Sequence, residues 1–137
     1  MNGTVKRPSR KRQFKNLMQH AGQKELTPKA RLVLAVLWGF TDEDGACWPS
    51  HETIMEQTGL SESGAKAAVR ELAKTHTVMH HTLRAPFMLG GRRVRAGRRI
   101  FLVLPLSRHS EAGRTIEERL RVLRGELAND VSPEAAA

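Results

Sequence analysis

Apolar positions recur along this chain in patterns that change from helical to extended spacing. From Lys29 to Phe40 they fall on nearly every side, through Ala30, Leu32, Val33, Leu34, Ala35, Val36, Leu37 and Trp38. Thr27-Pro28 starts this predicted helix, with threonine at the cap and proline in the first turn. A surface helix needs one apolar stripe, so this one requires cover beyond the two short helices that follow it. The first of those runs through Ile54, Met55 and Thr58, capped by Ser50 and ended by Gly59 in a left-handed conformation. Leu60 drops toward the core and Ser61 caps the next helix, where Ala65, Ala68, Val69 and Leu72 repeat at i, i+3, i+4 and i+7. Its opposite face carries Glu62, Ser63, Lys66, Ala67 and Arg70.

Extended patterns appear on either side of this pair. Ala46 to Trp48 fits one short strand, after the polar turn Asp42-Glu43-Asp44-Gly45. Val78 to Arg84 and Arg99 to Leu104 read as longer strands, the second with an unbroken apolar run that Pro105 ends. The connection between them, residues 85–98, is a hairpin with a long basic tip. Near the C-terminus Thr115 and Glu118 have capping-box spacing, and Ile116, Leu120, Leu123 and Leu127 follow at intervals of four, three and four. That amphipathic helix is expected either to fold back on the over-apolar helix or to pair with its copy in a second subunit.

Length and charge narrow the picture. The chain has 137 residues, enough for one compact domain with tails. Its formal charge of +9 favours a polyanionic partner. The distribution is polarised. Lys6, Arg7, Arg10, Lys11, Arg12, Lys15 and Lys24 lie in an acid-free N-terminal stretch, and Arg84, Arg92, Arg93, Arg95, Arg98, Arg99 and Arg108 in another. The expected division is a basic N-terminal arm over 1–24, a DNA-binding domain over 25–106, a linker and C-terminal helix over 107–128, and a disordered tail over 129–137. One cysteine, Cys47, cannot form an internal disulfide, and no apolar run is long enough to cross a bilayer. A cytoplasmic location without membrane contact is expected.

Several chemistries find no support. His76, His80, His81 and Cys47 lack paired metal-ligand spacing, and neighbouring strand residues such as His80 and His81 point to opposite faces. Asp42, Glu43 and Asp44 lack the calcium-loop pattern and read as a polar turn. No nucleophile and base, paired acidic metal ligands or phosphate loop stands at useful spacing. The expectation is a non-enzymatic protein with no cofactor and no metal. Trp38 and Trp48 read as core; with no tyrosine and four phenylalanines, stacking platforms for single strands are poorly supplied.

The order helix, small strand, helix, turn, helix, hairpin resembles a winged helix-turn-helix domain. Trp48-Pro49-Ser50, Ile54, Gly59-Leu60-Ser61, Val69 and Leu72 are similar to the group found in bacterial, plasmid and phage replication initiators and small transcriptional regulators. The resemblance spans about residues 27–104 and implies a mainly α fold with a small β-hairpin, here joined by a C-terminal amphipathic helix. Gly64 stands where many relatives carry a hydroxyl that meets a phosphate, and His76 near the position of a common glycine, where histidine tolerates the left-handed conformation better than most residues. The wing tip is longer and richer in arginine than usual.

The expected partner is double-stranded DNA. Lys66 and Arg70, one helical turn apart, suit base or phosphate contacts with Glu62 and Ala67 on the same face, and Ser61 and Ser63 suit phosphates at the helix N-terminus. Arg92, Arg93, Arg95, Arg98 and Arg99 suit the backbone or minor groove, and Arg7, Arg10, Lys11 and Arg12 an adjacent groove. A homodimer is expected, with Ile116, Leu120, Leu123 and Leu127 as its contact. The leading expectation is a plasmid- or phage-type transcriptional regulator on an operator. A replication-origin or partition protein that recruits other replication or regulatory proteins, and an RNA binder using the arginine-rich segments, remain alternatives.

Overall fold

The computed structural model of the chain describes residues 9–126. Lys6 and Arg7 of the expected arm, Leu127 of the expected dimer stripe and the expected tail over 129–137 lie outside the described residues. Helices α1 (Arg10–Gln23) and α2 (Pro28–Phe40) come first, then strand β1 (Ala46–Cys47), α3 (His51–Thr58) and α4 (Glu62–Lys74). Strand β2 (Val78–Thr82) leads into a hairpin of β3 (Phe87–Leu89) and β4 (Arg92–Val94), and β5 (Arg99–Val103) returns. Two further helices follow, α5 (Leu104–Ser107) and α6 (Glu111–Leu123). The fold is mostly helical with small antiparallel sheets, a helix-turn-helix with a wing.

The three-stranded sheet has the order β1-β5-β2, all antiparallel, with β5 in the centre. Because side chains alternate along a strand, Phe101 and Val103 enter one core with α1 to α4, while Ile100 and Leu102 enter a second core on the other face. The unbroken apolar run is therefore a strand covered on both sides. Val78 and Met79 on β2, and Cys47 and Ala46 on β1, divide in the same way.

The over-apolar α2 is covered by α3, α4 and α1, not by the C-terminal helix. Ala30, Val33, Leu34 and Leu37 are buried, and Leu17 and Ala21 of α1 pack into the same core. The second half of the expected basic arm over 1–24 is therefore a packed helix. Ser9 caps α1, and Phe14 packs against Trp38 with ring centroids 4.9 Å apart. Apolar residues at i, i+3, i+4 and i+7 through Phe14, Leu17, Met18 and Ala21 give this polar-looking segment a face to bury.

Helix α6 docks on the opposite face of the sheet. Ile116 and Leu120 are buried with Met79, Leu83, Ile100 and Leu102, so the expectation that these two side chains form a dimer contact is corrected; the chain's own core uses them. The helix also begins one turn earlier than the Thr115 capping box predicts. Ser110 caps it by accepting from Gly113 N at 2.9 Å, and its hydroxyl donates to Asp44 Oδ1 at 3.1 Å. Gly113 is required there by close approach, because a Cβ would meet the Ser107 carbonyl group head on, with Ser107 C and Cα at 2.8 Å.

The basic connection is more ordered than a hairpin tip. Gly90 and Gly91 have φ of 52° and 85°, which turns β3 into β4 in two residues. Phe87, Leu89 and Val94 are buried against the second core. Arg119 of α6 clamps the hairpin, with its guanidinium 4.0 Å from the Phe87 ring centroid and a 3.1 Å bond to Met88 O.

Candidate nucleic-acid interface

The joint between α3 and α4 is built from local caps. Ser50 accepts from Thr53 N at 3.1 Å, Gly59 ends α3 at φ 73°, and Ser61 accepts from Gly64 N at 3.1 Å. Leu60 packs against the core between the two helices. Ala65, Ala68, Val69 and Leu72 are buried, which leaves Ser61, Glu62, Ser63, Lys66, Ala67 and Arg70 exposed together on the outer face of α4. At its other end His76 takes φ 58°, so the chain turns into β2 through a left-handed histidine.

Two residues that the sequence pattern does not reveal set the pose and charge of this face. Glu71 accepts from Thr27 N at 2.8 Å and from Thr27 Oγ1 at 2.7 Å, fastening α4 to the start of α2. Lys29, in the first turn of α2, places its Nζ 3.9 Å from where a Cβ at Gly64 would stand. A hydroxyl-bearing side chain is missing at that point, and a lysine reaches it instead. No local sequence signal predicts that meeting, since the two residues come from different helices.

Charge on the outer face is not uniform. Lys66 donates to Glu62 Oε1 at 2.8 Å, one turn back on the same helix. That hydrogen bond holds the Glu62 carboxyl below the usual carboxylate range. Arg70 has no such partner among the described residues. With Lys29, Ser61, Ser63 and the N-terminal amides of α4, the face combines hydrogen-bond donors with the positive end of a helix dipole.

The wing arginines do not form one row. Arg98 and Arg99 line a cleft of about 300 Å³ with Pro49, Ser50 and His51 at the N-terminus of α3. Arg92 shares a second cleft, about 490 Å³, with Arg98, Trp48 and Thr53. Arg93 pairs across the hairpin with Met88 on the exposed side, and Arg95 is exposed at its base. Arg99 is half-buried, with its guanidinium 5.9 Å from the Phe101 ring centroid.

The N-terminal cations also divide. Arg10 is a structural residue: it donates to Trp38 O at 2.7 Å and to Thr41 Oγ1 at 3.3 Å, and stacks 4.1 Å from the Trp38 ring centroid. Lys11, Arg12 and Lys15 instead line one exposed face of α1 with Asn16 and Gln19.

Other chemistry-bearing residues are occupied structurally. Asp42 Oδ1 accepts from Asp44 N at 2.9 Å and Ala46 N at 3.0 Å, which makes the acidic segment a side-chain-stapled turn. Burial pushes the Cys47 thiol far up from its ordinary range. Among the described residues no group of three His, Cys, Asp or Glu side chains is placed to hold a metal, and no helix is long and apolar enough to cross a membrane.

Residues 24–76 match the family model of a helix-turn-helix domain. Neither a curated protein nor a solved structure matches the chain. The matched segment runs from the end of α1 through His76 and so contains α2, α3, the Gly59 turn and α4. Helix-turn-helix pairs are DNA-reading motifs, and the second helix is the one that enters the major groove. Residues 24–76 form a helix-turn-helix domain, and the β2–β5 hairpin that follows makes it a winged one.

Proposed function

We propose that the chain is a sequence-specific duplex-DNA-binding protein, a regulator of plasmid or phage type that occupies an operator. The observation that carries this reading is the outer face of α4. A capped helix, anchored by Glu71 and projecting Lys66 and Arg70 beyond small residues, suits a major groove. Ser61, Ser63 and Lys29 suit a phosphate at its N-terminal end. Arg98 beside the α3 N-terminus suits the flanking backbone, and Lys11 and Arg12 on α1 suit a more distant stretch of it. In this reading residues 25–106 are the DNA-binding unit.

The test is enrichment of a random duplex library on the pure protein near physiological salt, repeated with a Lys66→Ala/Arg70→Ala variant. The expected result is a compact motif whose positions relax in the variant, by about 1–3 kcal/mol for each lost base contact. A variant with the parent's affinity and preference overturns the assignment of α4. Equal or tighter binding to structured RNA at matched salt overturns the choice of duplex DNA.

A further inference from the structure

Where α4 runs out, its last turn is tied to α1. Thr77 is fully buried, and its hydroxyl oxygen lies 3.0 Å from His20 Nε2 and 2.9 Å from Thr75 Oγ1. Thr75 Oγ1 in turn stands 3.0 Å from Glu71 O and 3.3 Å from Leu72 O. Polar atoms this close need a proton between them, and each hydroxyl has only one to give. A backbone carbonyl can only accept, so the Thr75 proton goes to Glu71 O, shared with Leu72 O. Thr75 must then accept from Thr77, and Thr77, with its own proton used, must accept from His20. His20 is therefore the Nε2–H tautomer, with its free lone pair at Nδ1.

We infer that His20 is a positioning residue for the recognition helix, its Nε2–H fixing the exit of α4 against α1 through Thr77 and Thr75. The bonds from Thr27 to Glu71 hold the turn of α4 just before that exit, so the C-terminal half of the helix has two anchors. His76, between the two threonines, takes its left-handed φ of 58° inside this latch. Lys11, Arg12 and Lys15 stand on the same continuous helix as His20. The latch therefore sets the angle of α4 relative to the cations of α1. Its consequence for DNA rests on the reading proposed above: base contacts keep their geometry only while that angle is fixed. His20 then serves discrimination between sites and adds little to the general attraction, which comes from the cations themselves. Leucine at position 20 fills the space but leaves Thr77 without its donor. Glutamine carries an Nε2–H donor at nearly the reach of the imidazole nitrogen.

The experiment has two arms on the full chain. Proton–nitrogen correlation spectra of the free parent read the His20 tautomer; Nε2–H is expected, and Nδ1–H as the neutral form overturns the latch. Affinities for the best duplex site, for single-base mismatches of it and for random duplex are then measured for the parent, His20→Leu, His20→Gln and Thr77→Val. A mismatch should cost the parent about ten-fold or more, and His20→Leu or Thr77→Val only about three-fold, with His20→Gln within about two-fold of the parent. Affinity for random duplex should not change. A His20→Leu or Thr77→Val protein that discriminates like the parent overturns the positioning role. So does a His20→Gln protein no better than His20→Leu, or a loss that falls equally on every duplex. A parent with no sequence preference overturns the DNA-binding reading instead, and the tautomer still judges the latch by itself.

Discussion

Replacing Arg10 by alanine separates a structural arginine from the cationic residues beside it. The guanidinium bonds the Trp38 carbonyl at 2.7 Å, in the last turn of α2, and lies 4.1 Å from the Trp38 ring centroid. A charged donor at a helix C-terminus contributes about 0.3–1 kcal/mol, and an exposed cation–π contact about 0.5–1 kcal/mol. The hydrogen bond adds about 1 kcal/mol at most once exposure is allowed for. These contributions overlap, so the expected loss is about 1.5 kcal/mol, a fall of about 5 °C in melting temperature for a domain of this size. Lys11 and Arg12 lie one and two residues on, exposed and with no comparable side-chain contact among the described residues. Lys11→Ala/Arg12→Ala should melt with the parent but reduce the salt dependence of DNA binding by about 0.9 per lost phosphate contact. Calorimetry and anisotropy titrations across a salt series measure both quantities on the same preparations. The reasoning fails if Arg10→Ala melts with the parent and removes a full unit of salt slope.

Three further outcomes are expected. Gly113→Ala should cost about 3 kcal/mol, the upper end for overpacking, because the methyl group meets Ser107 backbone that cannot yield. Melting with the parent would show that α6 is not seated on α5 as described. Glu62→Gln removes the carboxylate that holds Lys66 at 2.8 Å on the outer face of α4, so DNA binding should tighten at low salt. Unchanged affinity would show that neither residue lies close to DNA. Burial, aided by neighbouring cations, holds His20, His80 and His81 below the ordinary histidine range. Because the unfolded chain binds protons that the folded one resists, their contribution to stability is present above about pH 6.5 and is lost as pH falls toward the lowered folded values. Denaturant melts at pH 7.5 and pH 5.5 check the sign, and equal stability with and without the histidines would refute it.

The helix-turn-helix was legible because its information is local. Thr27-Pro28, Ser50, Gly59 and Ser61 each act within four residues of themselves, and the apolar spacing of α4 predicts its buried face without reference to any partner. What covers α2 was not legible in the same way. Its excess apolar surface announced a missing neighbour, yet α1 and α6 both offered an apolar stripe, and only tertiary packing assigns α1 to α2 and α6 to the far side of the sheet. The second hairpin did leave a signal in the alternation of Phe87 and Leu89 and the Gly90-Gly91 turn, with Val94 completing it. The arginine density of that stretch obscured it.

Arginine is the residue type for which sequence reasoning about this interface runs out, because a guanidinium serves packing and phosphate binding with the same atoms. Arg10 stacks on Trp38, Arg119 on Phe87, and Arg108 and Arg121 both bond Glu117, whose carboxyl they hold below its ordinary range. Basic residues therefore overstate the cations available to DNA. Lys11, Arg12, Lys29, Lys66, Arg70 and Arg98 are the cations that the proposed pose uses, and Arg92, Arg93 and Arg95 are exposed on the wing. About six neutralised phosphates give a slope of about −5 in log affinity against log salt. If every arginine of the N-terminal and wing segments also met a phosphate, the slope would approach about −10 or beyond. A measured value near about −10 would mean that the exposed wing arginines Arg92, Arg93 and Arg95 meet phosphates as well as those six, while Arg10 and Arg99 can stay on their aromatic rings.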